Sequence, residues 1–567
     1  MHHSSNPPAP QPEEASTASL GRPVFGRHIN RRDLMRVASG LTALAFMPQL
    51  VRGASAQEST PAAGAGQMFN PSGELPTEAS GTLNLALVFD AVSLDSMATY
   101  TLSNAKWEGE LYSPLTWRDP DLVLYDGLEG RPAPDAGYGL AAGWEYTDDL
   151  TLKMTLKTGI TFHNGEPFNA AAVKATYDRM LDPESLSPQA FNYSTISSVE
   201  VVDDATVIFH FATTDPVMIT KMAGYGSYIV PTAASAEEGF GTTSAVGTGP
   251  YKFVEYVKDD HITFEAWDGW WGSAKPLVKT LNYRIIPDDN TRLSEFLAGN
   301  IDAFLLNVNQ VSAVEGNPDL TLVEIGSPTV SGLRLDVAQA PTDNKSVRQA
   351  IAHAIDLQTI IDTILGGYAA PVPVWQSPFS FGTDDSLSPY TYDTAMAQQL
   401  VTDSGLPTPI KITYDVIGQD TQALEIGQAV KDMLDAVGFD VELRTQEQAT
   451  YYDDYVAGKL GNVVPFGWGG WTLDYDNTYY SMYKTGESYN PSYTNATVDD
   501  LLVQERATLD QATRLDIAKQ INQLIYDDAP DVMLYQTQYV YGMNNRVKNF
   551  LIPPDDRYWL VDTYVEE

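Results

Sequence analysis

Hydrophobic and polar positions alternate from Thr82 to Leu87 (Thr-Leu-Asn-Leu-Ala-Leu), which predicts a strand and sets the start of ordered structure at Gly81. A second alternating stretch, Leu150 to Lys157, is turned by Thr158-Gly159 and resumes at Thr161-Phe162-His163. Ala170 to Leu181 changes period and places Val173, Tyr177 and Met180 on one helical face. Glu200-Val201-Val202 and Thr206 to Phe211 form a hairpin around Asp203-Asp204. Further on, Asp343 or Asn344 caps a helix carrying Val347, Ile351 and Ile355, and a second run with Ile360, Ile361, Ile364 and Leu365 stops at Gly366-Gly367. The clearest unit is strand Ile410–Val416, helix Thr421–Val437 with Leu424, Val430 and Leu434 inward, a stop at Gly438, and strand Phe439–Leu443. Strand–helix–strand in that span is a βαβ unit, which requires parallel strands and argues for α/β lobes.

The amino-terminal segment has a different character. Asn30-Arg31-Arg32-Asp33-Leu34-Met35-Arg36 precedes a mildly apolar run from Val37 to Val51 and a small-residue site at Gly53-Ala54-Ser55-Ala56. A charged pair, a short apolar run and a small-x-small site describe an export signal, and the paired arginines resemble the twin-arginine type. A spanning helix needs about 20 apolar residues, and Pro48 interrupts this shorter run. Residues 1–56 therefore read as a leader, cleavable after Ala56, and Pro/Gly/Ala-rich 57–80 as a flexible linker. The expected location is outside the cytoplasmic membrane, periplasmic or extracellular, with no membrane insertion after cleavage.

Charge and composition narrow the function. Six of 34 basic and three of 74 acidic residues precede Gln57, leaving 28 and 71, a net of −43. Such a surface repels nucleic acid and anionic membranes and keeps an exported protein soluble. The sequence has no cysteine, which excludes disulfides, thiolate catalysis and a lipid-modified cysteine. After the leader only His163, His210, His261 and His353 remain, none at zinc-ligand spacing, and no Gly-x-Ser-x-Gly elbow or phosphate loop occurs. Asp474-Tyr475-Asp476-Asn477 lacks the glycine and distal glutamate of an EF-hand loop. No catalytic residue, metal site or cofactor is assigned, and the chain reads as a non-enzyme. Aromatics crowd Phe466, Trp468, Trp471, Tyr475, Tyr479, Tyr480 and Tyr483, interleaved with Gly467, Gly469 and Gly470. Rigid amphipathic rings beside glycine suit a cleft that holds an organic solute.

Ordered blocks then point to a family. Ala142-Gly143-Trp144-Glu145, Leu156-Lys157-Thr158-Gly159 and Phe162-His163-Asn164-Gly165-Glu166-Pro167-Phe168-Asn169-Ala170 are followed by Val246-Gly247-Thr248-Gly249-Pro250-Tyr251 and Trp270-Trp271-Gly272. Leu297 to Asp302, Val347 to Ile351, Ala354-Ile355-Asp356, Ala529-Pro530 and Leu534-Tyr535 complete the order. This succession, over about residues 82–550, resembles the family 5 extracellular solute-binding proteins of ABC importers, although that family usually has Asp at the position of Asn164. The resemblance implies an α/β, two-lobed periplasmic-binding-protein (Venus flytrap) fold with an extra subdomain on the first lobe. Residues 81–117, 241–331 and 535–567 would build lobe I, 118–240 its subdomain, and 332–534 lobe II. It also implies a monomer that closes on its solute and delivers it to permease subunits.

In peptide-binding relatives a Gly-Trp-x-x-Asp segment presents its aspartate to the ligand's α-ammonium. Gly470-Trp471-Thr472-Leu473-Asp474 matches it, so the resemblance places Asp474 at the ammonium and the backbone of Gly469, Gly470 and Trp471 beside an extended peptide. Trp468 and Tyr475 join the candidate ligand-binding set. Where the family often has a proline after this aspartate, Asp476-Asn477-Thr478 stands instead. A short peptide is the expected solute; a sugar, an opine or a metal chelate on the same fold is the alternative, and a secreted hydrolase the weaker one.

Export through the twin-arginine route predicts that replacing Arg31 and Arg32 together with Lys leaves full-length precursor in the cytoplasm. Fractionation and immunoblotting check this, and normal processing of the variant would contradict the assignment.

Overall fold

The computed structural model describes residues 67–73, 75–98, 102–119, 138–224, 226–418 and 420–566. The leader, the arginine pair and the first part of the linker, to residue 66, lie outside the described residues.

Two long antiparallel strands, Leu320–Leu335 and Asp531–Asn544, run through the middle of an 11-stranded mixed sheet. On one side of them the order continues Val463–Gly469, Ile410–Ile417, Phe439–Gln446; on the other it continues Ala303–Leu306, Ser80–Leu87, Val278–Ile285, His261–Ala266, Tyr251–Val257. The register between the two long strands shifts between Gly326 and Val330 and again between Ser331 and Gly332. Each half carries its own core. Leu83, Leu85, Trp107, Phe264, Leu281 and Tyr541 cluster on the first-lobe side. Ile351, Ile412, Tyr414, Val430, Leu434 and Val441 cluster on the second.

A separate antiparallel sheet, in the order Ala141–Asp148, Thr151–Leu156, Thr206–Phe211, Ile196–Asp203, is covered by helix Ala170–Leu181. That helix starts where Asn169 accepts a hydrogen bond from the Ala172 amide, and it buries Val173, Tyr177 and Met180. The predicted βαβ unit is present. Asp420 caps Thr421–Val437, Gly438 ends it at φ 115°, and Ile410–Ile417 pairs in parallel with Phe439–Gln446. Such a positive φ suits glycine, which has no Cβ to clash.

One boundary is corrected. Order starts before Gly81, because Gln67–Phe69 pairs antiparallel with Phe550–Ile552 and Phe69 is 1 % exposed. The Pro/Gly-rich surroundings hid a three-residue strand in which Phe69 is buried against Tyr541 and Phe550, while Met68 is exposed.

The signature blocks owe their order to packing. The amide of Gly247 donates to Nδ1 of His163 (3.2 Å), and His163 Nε2 bonds the Gly249 carbonyl (3.0 Å). Burial lowers the imidazole to about pKa 4, so it is neutral, with its proton on Nε2. Gly247 and Gly249 lie so close to the carbonyls of Leu111 and Glu110 that a Cβ at either would overlap backbone. Gly247→Ala is therefore expected to lower stability by about 1–3 kcal/mol, the usual range for overpacking, read as a reduced urea midpoint at unchanged slope.

A buried ion pair ties the two long strands together. Arg334 Nε meets Asp531 Oδ1 at 3.1 Å, with both side chains almost inaccessible. Asp531 also accepts from Trp375 Nε1 (3.1 Å) and from the Tyr483 hydroxyl, while Arg334 donates to the Tyr455 hydroxyl (3.2 Å) and the Met482 carbonyl (3.1 Å). Every member has a partner, the condition under which burying charge is tolerable. Asp531→Ala should cost about 3–5 kcal/mol, because it strands the Arg334 guanidinium; a melting temperature within a degree or two of wild type would contradict this.

Candidate functional site

The segment Val463–Asp474 leaves the sheet beside the first lobe. Strand Val463–Gly469 pairs on one edge with Leu320–Leu335, from Val463↔Leu335 to Gly469↔Thr329. Its other edge meets Ile410–Ile417 only at Val463↔Tyr414. Beyond that bridge, Phe466 to Gly470 has no strand partner on this edge among the described residues, and Gly467 and Gly469 are exposed. Trp471 then crosses to the first lobe. It is 8 % exposed, joins that lobe's core cluster, and lies so close to Gly224 that a Cβ there would overlap its ring.

An interlobe cavity opens at this crossing, lined by Arg118, Arg557, Thr329, Gly469, Trp471 and Tyr539 among others. Arg118 Nη2 donates to the carbonyl of Thr220 (2.9 Å) on the first-lobe side and to that of Thr472 (2.5 Å) on the second. Arg557 is held by Asp555 (2.6 Å) and donates to the Ala223 carbonyl (2.7 Å). Composition gave no hint of either arginine. The one local signal was an arginine beside an aromatic residue, in Thr116-Trp117-Arg118 and in Arg557-Tyr558-Trp559.

Of the predicted site residues, the structure brings Gly469 and Trp471 to the cavity wall with Gly470 between them. Trp468 is half-buried, stacked on Phe466 (6.1 Å) with its Nε1 donating to Thr478 Oγ1 (3.1 Å). Tyr475 is placed in the lobe II core. It is fully buried, stacked on Tyr479 (4.0 Å), and its hydroxyl bonds Asn522 Oδ1 (3.0 Å). Its helical position, one turn before Tyr479, turns the ring inward and away from the cavity.

Asp474 is 5 % exposed and caps the helix Tyr475–Tyr483 by accepting from the Asp476 amide (3.1 Å). Both its oxygens accept from Arg514, at 2.6 and 3.1 Å. Arg514 also bonds Glu505, and Arg506 clasps Asp476 at 2.6 and 3.0 Å. Three buried carboxyl groups thus share two guanidinia, so the cluster is balanced while Glu505 holds its proton and gains one negative charge when Glu505 ionises. The second oxygen of Glu505 has no partner, and burial pushes that carboxyl up to about 8, against the pull of Arg514. The four histidines are dispersed: His163 as described, His210 on Glu200, His261 on Asp260 and Glu255, and His353 on the Thr391 carbonyl.

The comparisons with known proteins agree with one another. The sequence model for bacterial extracellular solute-binding proteins, family 5 (middle region), matches residues 136–490. The chain belongs to that family. The glutathione-binding protein GsiB of Pectobacterium atrosepticum is 28 % identical over 438 residues, covering 74 % of this chain and 84 % of the relative. Among solved structures, the ABC transporter substrate-binding protein CtaP of Listeria monocytogenes superposes with a TM-score of 0.77 at 24 % identity, covering 86 % of this chain and all of that one. The binding protein DppA of Helicobacter pylori, in complex with the peptide STSA, gives 0.68 at 23 % identity, over 86 % and 99 %. The two-lobed α/β fold expected from the sequence is therefore shown. The protein is an extracytoplasmic solute-binding protein of the kind that serves ABC importers.

The charge balance around Asp474 generates a pH prediction. Glu505 keeps a proton in the folded state that the unfolded chain releases near pH 4.3, so its contribution is present at low pH and is lost as pH rises toward about 8. Buried Glu108 and Glu110, also pushed up to about 8, act in the same direction. Glu505→Gln should therefore show a smaller fall in melting temperature between pH 5 and pH 8 than wild type; parallel curves would contradict the assignment.

Proposed function

We propose that the solute is a short peptide, bound in extended form between the lobes and handed to the permease of an ABC importer. The observation that carries this reading is the open edge of Phe466–Gly470, with exposed glycines, beside the interlobe cavity. A peptide added there gains main-chain hydrogen bonds without side-chain selectivity. The third carboxyl group around Asp474 suits the peptide's ammonium: Glu505, protonated without ligand, can release its proton and supply the charged partner that a buried ammonium needs. Asp474 takes that role together with Asp476 and Glu505 rather than alone, because Arg514 already occupies both its oxygens. The glutathione-binding relative and the peptide complex of the structural neighbour support the same solute class.

The division into lobe I (81–117, 241–331, 535–567), its subdomain (118–240) and lobe II (332–534) belongs to this reading. The hinge lies at the register shifts in the long strands. Ligand then shifts the population to the closed form. The protein acts as a monomer, with closure as the signal the permease reads.

Adding a mixture of di- to tetrapeptides should decrease the radius of gyration in small-angle scattering and raise the melting temperature by mass action. Acetylating the amino terminus of a bound peptide should weaken it by about 2–5 kcal/mol in calorimetry, the cost of removing one side of a buried charge pair. No response to peptides, with a clear response to sugars or metal chelates, would replace the peptide by that solute.

A further inference from the structure

A second cavity adjoins the interlobe one and shares Arg118 and Arg557 with it. Its walls are aromatic: Trp117, Tyr138, Trp270 and Trp559, with Tyr138 4.3 Å from Trp559 and stacked on Trp270 at 5.1 Å between ring centroids. The two arginines, both cations, differ in their pairing. Arg557 is neutralised by Asp555 at 2.6 Å. Arg118, 4 % exposed, donates to two backbone carbonyls and has no carboxylate bonded to it among the described residues. Burial lowers it to about 10, which leaves it a cation at neutral pH. A chain of formal charge −40 thus keeps a guanidinium buried at the junction of its solute cavity and an aromatic pocket, with Asp555 and Asp474 acting on it only through space and no carboxylate bonded to it among the described residues. Burying such a charge without a bonded anion is costly, and an incoming carboxylate removes that cost through charge-assisted hydrogen bonds.

We infer that Arg118 is a specificity-determining residue that receives the carboxylate of the solute, and that the Trp117–Tyr138–Trp270–Trp559 pocket takes an aromatic group attached beside that carboxylate. The ligand class is an aryl-bearing carboxylate; on the peptide reading it is a peptide whose carboxy-terminal residue is aromatic. The inference rests on the interlobe cavity being the solute site, but it does not require the solute to be a peptide.

Calorimetry on the mature protein tests it with Ala-Ala-Trp, its carboxy-terminal amide, Ala-Ala-Ala, and indole-3-propionate. The free acid Ala-Ala-Trp should bind at least tenfold more tightly than its amide and more tightly than Ala-Ala-Ala. Arg118→Gln should abolish the acid-over-amide preference, and Trp559→Ala the Trp-over-Ala preference while leaving the other intact. The wild-type acid and amide comparison needs no variant, so misfolding of Arg118→Gln does not blunt the test. Equal affinity of acid and amide overturns the inference and leaves the peptide reading standing. Equal weakening of both by Arg118→Gln also overturns it, and reduces Arg118 to a tie between Thr220 and Thr472. Binding of indole-3-propionate but of no peptide supports the Arg118 site and removes the peptide reading; no binding by any of the carboxylates overturns the inference.

Discussion

The buried contact between Arg334 and Asp531 is the constraint on which the rest of the molecule depends. Each residue sits on one of the two strands that pass from lobe to lobe, and their ion pair fixes those strands to each other at the lobe II end. Tyr455, Tyr483, Trp375 and Met482 attach the same pair to the lobe II helices and loops. With that end fixed, the proposed hinge falls at the register shifts between Gly326 and Gly332, where ladder pairing is interrupted. The cavity lies beside those shifts, with Pro328 and Thr329 in its wall. A hinge next to its own binding site lets a small local change reorient whole lobes.

Charge is distributed with the same economy. The surface carries a large negative excess, yet the lobe junction holds both signs in buried form. On the lobe II side, Asp474 and Asp476 balance Arg506 and Arg514, and Glu505 adds a third carboxyl group that holds a proton until the pH approaches about 8. On the first-lobe side, the hydrogen bonds of Arg118 among the described residues go to carbonyls, while Asp555 and Asp474 act on it through space. In a water-poor cavity charge is worth more than at the surface, so on the proposed reading a ligand ammonium would be met by ionisation of Glu505 and a ligand carboxylate by Arg118. The fold tolerates the residual charge because each group is hydrogen-bonded to protein partners.

Much of the fold was legible because its elements obey local rules. Thr421–Val437 has an aspartate cap, an apolar face and a terminal glycine, and its flanking strands follow directly. Ala170–Leu181 reads equally well from Asn169 and its spacing. The ordered blocks of the family resemblance became intelligible only in three dimensions, where His163 bonds the loop holding Gly247 and Gly249. The site was legible in part. Interleaved glycine and tryptophan located the wall at Gly469 and Trp471. The pairing of Asp474 with Arg514, forty positions away, was not visible in a single sequence, and neither was the position of Arg118, bonded to carbonyls of both lobes. Tyr475 illustrates why composition overreached: an aromatic beside a cleft belongs to the core when helical phase turns it inward.

The central claim is that solute enters between the lobes along the open edge of Phe466–Gly470. Amide hydrogen exchange, measured with and without a saturating peptide mixture, tests it most directly. The account predicts slowed exchange centred on residues 466–473 and on the facing Thr329 region, with little change in the outer sheet of the subdomain. Unchanged exchange across 466–473, with protection appearing elsewhere on the molecule, would contradict it.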